Sequence, residues 1–403
     1  MAWPGVTGHL PGVTLPSRHL GLDWLRIGAF GLLIVYHVAM VFGPWHWVIK
    51  ALVTHDWLIV PMVLTTPWRL PLLFCVSGFA SRRLLDRTGS LREFLSSRNL
   101  RLLLPWAFAM VALLPPELWV RARLNGYHGD LIRYWLIDYW SLTPVAGFAF
   151  PNWEHLWFIA YLWAYTMLLA IGLDRAGPGA AERLTRTADA LASSGRLLWM
   201  PIAALVTAKL ALLFVVPEEH GLSSDWSGHA EYLPVFIFGF ALGGASGLWP
   251  AIGRNRLPAL AVTIASAATL IAVELAYPGE TVPPHAIMAL DRAARLAFAW
   301  SAILLLLGLA DRYGHRDAPW RRTLSEAVFP FYLVHHPAIV VLAWVLLPLG
   351  LPDGMTFALL VLGTATSCAA FYLVGREFDW VRPLIGLGPK TRPATQRLIQ
   401  VRP

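Results

Sequence analysis

The chain has 403 residues, 57% of them hydrophobic and only 14% charged, with a mean hydropathy of +0.56. Soluble domains carry roughly 25% charged residues, so these values exclude a water-soluble globular protein and point to a single polytopic membrane bundle. The net charge of +8 gathers in alternate loops, a topology signal rather than a nucleic-acid footprint, so no nucleic-acid partner is expected.

The predicted fold is all-α, a polytopic membrane helix bundle in the lipid bilayer. Met1–Gly21 is polar and Pro/Gly-punctuated, and reads as a cytoplasmic N-terminal segment rather than a cleavable signal peptide. Apolar runs then predict ten spans, at about 22–42, 57–81, 99–118, 154–173, 197–216, 232–249, 257–276, 292–310, 327–348 and 355–375. The loops around 82–98 and 174–196 and those holding Arg254, Arg256, Arg312 and Arg316 are basic, as is the tail 377–403. The loops at 217–231, 277–291 and 349–354 hold no Lys or Arg. By the positive-inside rule both termini are cytoplasmic. The 119–153 loop falls outside despite Arg121, Arg123 and Arg133, and is rich in Trp and Tyr. The domains are thus the segment 1–21, a ten-helix domain 22–376 and the basic cytoplasmic tail 377–403, with no internal repeat.

Within the first span, Arg26 and His37 lie eleven residues apart. At 100° per residue this returns to within roughly 20° of the same helix face, about 16 Å further along. Ionisable residues inside a membrane helix are costly and usually face a cavity. Arg26 either snorkels to the headgroups or grips an anionic cofactor at the surface. His37, ~22 Å into the span from Leu22, is either a satisfied buried imidazole or a general base with a pKa near neutrality.

Arg69 follows in the second span, flanked by Pro67 and Pro71. Two prolines free backbone carbonyls, so the guanidinium either caps them or stabilises an anionic intermediate. Arg98 and Arg101, at the start of the third span, suit phosphate binding as well as topology setting. Glu154, His155 and Trp157 open the fourth span. Their neighbourhood reads either as an interfacial belt or, with the aromatic 119–153 loop, as a sugar-stacking platform. In the ninth span His335 and His336 are adjacent and point about 100° apart, so a two-histidine metal site is not expected and no metal is assigned. Cys75 and Cys368 lie in apolar segments and offer neither a disulfide framework nor metal-ligand spacing. Lys209, Glu274, Arg292 and Arg295 are polar residues in or near spans to which the sequence assigns no role.

Taken in order, these segments resemble the acyltransferase 3 family of integral membrane acyltransferases. Leu22-Asp23-Trp24-Leu25-Arg26 with His37 resembles the first-helix signature. Arg69-Leu70-Pro71 through Ser77-Gly78-Phe79 resembles the second-helix block, and Arg98 with Arg101 the basic start of the third helix. His155-Leu156-Trp157-Phe158 and Phe331-Tyr332-Leu333-Val334-His335-His336-Pro337 resemble two later blocks. The last block is most similar to the glucan biosynthesis protein C branch, which is associated with succinylation of periplasmic glucans. The resemblance implies a bacterial inner-membrane enzyme that transfers an acyl group, succinyl or acetyl, from cytoplasmic acyl-CoA to a hydroxyl of an extracytoplasmic glycan. Acyl-CoA and the glycan acceptor are then its partners.

On that expectation Arg26, Arg98 and Arg101 hold the CoA phosphates and His37 deprotonates the acceptor. Arg69, Ser77, His335 or His336 meets the tetrahedral oxyanion, and Glu154, His155 and Trp157 bind the acceptor. Direct transfer is preferred over an acyl-enzyme, because no nucleophile with a partner at clear spacing occurs. A transporter or flippase for a glycan or lipid-linked intermediate is the alternative class, since broken helices and intramembrane charges fit it too. The oligomeric state, including a homo-oligomer, is open.

Overall fold

The structure, a computed structural model, describes residues 19–390. The expected N-terminal segment up to residue 18 and the basic tail from residue 391 lie outside the described residues. The described chain is predominantly helical. Its only β pairing is an isolated bridge between Val145 and Phe148, as expected of an all-α bundle.

The main helices are α1 (Leu20–Phe42), α2 (Ile59–Thr88), α3 (Leu91–Leu124), α4 (Trp157–Ala176), α5 (Ala180–Ser193), α6 (Trp199–Leu212), α7 (Trp226–Leu242), α8 (Arg256–Ala276), α9 (His285–Tyr313), α10 (Arg321–Leu346) and α11 (Asp353–Gly375). Eight of these, all but α5, α6 and α7, are long and apolar enough to cross a bilayer, so the chain is a multi-pass membrane protein. The fifth and sixth expected spans correspond to the shorter α6 and α7, of 14 and 17 residues. Hydropathy runs on past both ends, but the backbone does not. After α6 the chain turns at Phe214, whose φ is +68°. After α7 it turns at Gly243 and Gly244, against the side chain of Arg82.

Two stretches read as loops are largely helical. α2 and α3 reach to Thr88 and back to Leu91, so most basic residues of 82–98 ride on helix ends. The 174–196 stretch contains α5, where Arg82 donates to the Ala181 carbonyl (3.2 Å) and Thr185 Oγ1 (3.0 Å). α3 also continues past the expected boundary at 118, through a π turn at Ala109–Leu113 and a restart at Leu114 with prolines in its first turn, where proline costs little. A π turn displaces carbonyls from the regular ladder. Here Tyr139 donates to the Met110 carbonyl (2.7 Å) and Trp135 Nε1 to that of Val111 (2.8 Å). The aromatic connection after α3 therefore caps backbone, and Trp119 on α3 itself donates Nε1 to the Gly129 carbonyl at 3.1 Å.

Two packings position the site. α1 and α10 run parallel: Arg26 meets Ser325, Phe30 packs on Phe331, and further along His37 meets His335. α2 and α7 approach closely at Gly78 and Gly239, where an added Cβ would lie 2.0 Å from the Phe236 carbonyl oxygen and 1.9 Å from that of Cys75. Only glycine permits backbones this near.

Candidate active site

Three helices bring four histidines together around a cavity of about 660 Å³. The order starts from a proline-interrupted helix. Near Pro337 in α10, His335 Nδ1 lies 2.7 Å from the Tyr332 carbonyl. A carbonyl only accepts, so Nδ1 carries the proton and Nε2 of His335 presents a lone pair. That lone pair lies 3.3 Å from Nδ1 of His37 on α1 and accepts from it. The neutral His37 ring is thereby left with its lone pair on Nε2, and His37 lines the cavity.

His155, at the head of α4, is oriented in the same way. Pro337 has no N–H to offer the Leu333 carbonyl one turn earlier, and His155 Nε2 takes that acceptor at 3.3 Å. The hydroxyl of Tyr332 in turn donates to the His155 carbonyl. The His155 ring lies 5.0 Å from that of His336 and 5.3 Å from that of His335, centroid to centroid. His335 and His336 diverge, their planes at 84°, as their adjacency dictates.

Arg69 faces the same space from α2. Its guanidinium carbon sits 3.8 Å over the ring of Tyr36, and the side chain is 3% exposed. Buried Nε and Nη1 have no hydrogen-bond partner, and among the described residues no carboxylate pairs with Arg69. The carbonyls freed by Pro67 and Pro71 do not take those two nitrogens. A buried cation with open donors is an anion receiver.

The opposite wall is charge-balanced. Lys209 on α6 pairs with Glu218 at 2.9 Å, and Arg292 on α9 reaches Glu218 and Asp291, both at 2.7 Å. Arg295 pairs with Asp291 at 2.7 Å and Glu274 at 3.4 Å, and Glu274 accepts from Trp45 Nε1 at 2.5 Å. Burial would raise the Glu218 carboxyl, in the loop before α7, but hydrogen bonds and charge from Arg292 and Lys209 outweigh it and hold its pKa below the ordinary value. His220 in the same loop is pushed below its ordinary value by burial, against the pull of Asp225. It stacks on Trp157 at 4.3 Å.

Four histidines and an open guanidinium thus share one cavity within the helix bundle. The acyltransferase 3 family model, described as an acyltransferase domain, matches residues 19–376. The chain belongs to the acyltransferase 3 family. No curated protein and no solved structure matches it. Membership in acyltransferase 3 makes it a membrane acyltransferase in general terms.

Of the acyltransferase 3 residues singled out in sequence, His37, Arg69, Glu154, His155, Trp157, His335 and His336 all line the one cavity. Ser77 does not. It lies towards the basic end, where its carbonyl accepts from Ser81 Oγ at 2.8 Å and from Arg98 Nη2 at 3.4 Å. Arg26, Arg98 and Arg101 also stand apart from the cavity lining. Arg26 donates to the Ser325 hydroxyl at 2.5 Å, and Arg98 to that of Ser81 at 2.5 Å. Arg101 is exposed. Glu154 is tied to Arg121 in an ion pair.

Several residues of the site were not singled out in sequence, among them Glu218, His220, Glu231 and Tyr232 of the cavity lining, and Tyr36 and Glu117. Tyr36 is hidden by being an aromatic in an apolar helix. Glu117 is fully buried on α3, with Oε1 2.9 Å from His336 Nδ1. An acidic residue inside a predicted span was the signal that marks it.

Proposed function

We propose that this protein is an O-acyltransferase that moves a succinyl or acetyl group from cytoplasmic acyl-CoA to a hydroxyl of an extracytoplasmic glycan, a periplasmic glucan by preference, in a bacterial inner membrane. The observation that carries this reading is the pairing of two uncommitted groups in one cavity: the Nε2 lone pair of His37 and the open donors of Arg69. One suits a general base and the other an oxyanion.

In the proposed reaction His37 Nε2 takes the proton of the acceptor hydroxyl as its oxygen attacks the thioester carbonyl. The oxyanion of the tetrahedral intermediate is met by Arg69. Collapse breaks the C–S bond, and the departing CoA thiolate recovers the proton from His37. His335 orients His37 throughout. Cys75 and Cys368 are fully buried and neither lines the cavity, which favours direct transfer over an acyl-enzyme.

The remaining assignments follow the topology. With ten spans, α6 and α7 included, and both termini cytoplasmic, Arg26, Arg98 and Arg101 face the cytoplasm and hold the CoA phosphates. Glu154, His155 and Trp157 face the acceptor. An Arg69 without a carboxylate partner suits a dicarboxylic acyl group.

The test is free-thiol release from purified protein in lipid nanodiscs supplied with succinyl-CoA or acetyl-CoA and a panel of glucans, with mass spectrometry of the glucan. Glucan-dependent CoA release and acylated product, both lost in His37→Ala, are expected. Glycan movement without CoA release would favour the transporter or flippase reading instead.

A further inference from the structure

At the wall of the cavity, four buried polar atoms have no hydrogen-bond partner: both carboxylate oxygens of Glu117, Nδ1 of His155 and Nδ1 of His336. Buried polar atoms are rarely left unpaired, and a cluster of them calls for a bridging body. The approach of Glu117 to His336 does not resolve this. At 2.9 Å the two atoms are within ion-pair distance, yet the contact is not a hydrogen bond and both atoms are left without one. Glu117 is also fully enclosed, and among the described residues no Lys or Arg pairs with it. A carboxylate so enclosed, with only the His336 imidazole beside it, calls for a cation.

The orientation of His155 narrows the identity of that cation. Its Nε2 faces the Leu333 carbonyl and therefore carries the proton, so the buried, unpartnered Nδ1 presents its lone pair. A ring whose second nitrogen donates to a backbone carbonyl is the usual arrangement of a metal-binding histidine.

One ligand atom from each of Glu117, His155 and His336 lies within 4.8 Å of the others. Ligands at about 2.0–2.2 Å from one zinc ion lie up to roughly 4 Å apart, so small side-chain rotations bring all three onto a single ion. We infer that Glu117, His155 and His336 form a divalent-cation site in the wall of the cavity. Two imidazoles and one carboxylate suit zinc. The two histidines line the cavity while Glu117 approaches from behind, so a further coordination position opens towards it. The adjacent histidines His335 and His336 do diverge, and the site does not join them. It draws His336 together with partners from α3 and the head of α4.

The test uses the full chain, without a histidine tag, in lipid nanodiscs. The protein is stripped with chelator, incubated with zinc, desalted and measured by elemental mass spectrometry. Stoichiometric zinc is expected for the wild type and for His46→Gln, which removes an exposed histidine. Background zinc is expected for Glu117→Gln and for His155→Gln. Size-exclusion elution and thermal unfolding identify variants that fail to fold. Cobalt loading gives a second readout, a visible d–d band in the wild type that Glu117→Gln lacks. Failure of the wild type to retain zinc or cobalt, or equal retention by folded Glu117→Gln, overturns the inference and leaves a protonated His336 or a water molecule as the bridge. These readouts need no acyl transfer, so they stand apart from the proposed reaction.

Discussion

His335 Nε2 lies 3.3 Å from His37 Nδ1, and the far nitrogen of His335 is committed to the Tyr332 carbonyl at 2.7 Å. Protonation in this chain of three groups is therefore directional, starting at a backbone oxygen and ending with a lone pair on His37 Nε2.

Loss of the base and loss of its support should differ in kind. His37→Ala removes the proton acceptor and is expected to lower kcat by about 10²–10⁴. His335→Ala leaves the base in place but unoriented, so a smaller loss of kcat with a shifted pH–rate profile is expected, because the tautomer of His37 is no longer set. CoA release measured across pH separates the two. Equal losses with unchanged profiles would remove His335 from the relay.

Arg69 should be irreplaceable by a point charge. Its open Nε and Nη1 offer a planar pair of donors that lysine does not reproduce. Both Arg69→Lys and Arg69→Met are expected to lower kcat by about 10²–10³ with a smaller change in KM, and purified variants in nanodiscs provide the measurement. Wild-type turnover in Arg69→Lys would show that charge alone suffices.

The contact between α2 and α7 should not tolerate a methyl group. With Cβ positions 1.9 Å and 2.0 Å from facing carbonyl oxygens, Gly239→Ala and Gly78→Ala are expected to cost about 1–3 kcal/mol as overpacking. Thermal unfolding in detergent would report this as a lowered Tm, with activity lost in proportion.

Acid should release the charged wall. Arg292 and Lys209 hold the Glu218 carboxyl below its ordinary value of 4.5 despite burial. A lowered folded-state pKa contributes stability that is present above 4.5 and lost as pH falls through the folded value. The wild-type Tm is therefore expected to fall below pH 4.5 more steeply than that of Glu218→Gln, which should already be less stable at neutral pH. Parallel pH–Tm curves would contradict this.

Period and hydropathy were enough to place the long helices, because a span must be both apolar and about twenty residues long. They did not find where α6, α7 and α3 stop. Those ends depend on the turn at Phe214, the glycine pair beside Arg82 and the prolines that restart α3 after its π turn. The cavity was legible in part for a related reason. His37, Arg69, His155, His335 and His336 stand out as polar residues in apolar runs, and packing gathers them. Ser77 stands beside them in sequence but is absent from the cavity lining, and its carbonyl accepts from Arg98. Glu117 escaped notice because it sits at the predicted end of its span, next to a proline pair and an arginine. The aromatic 119–153 stretch suggests a sugar platform; Trp119, Trp135 and Tyr139 donate to backbone carbonyls, and Asn152 and Trp153 reach the cavity from it.

The missing N–H of Pro337 has a wider consequence. The Leu333 carbonyl lacks its helical donor, because the residue four positions later has nothing to donate, and His155 is its partner instead. Pro337→Ala would restore a helical donor that competes with His155 for the Leu333 oxygen, so a mutation that improves the helix would loosen the chemistry. Screens that rank substitutions by stability alone would score such a change as a gain.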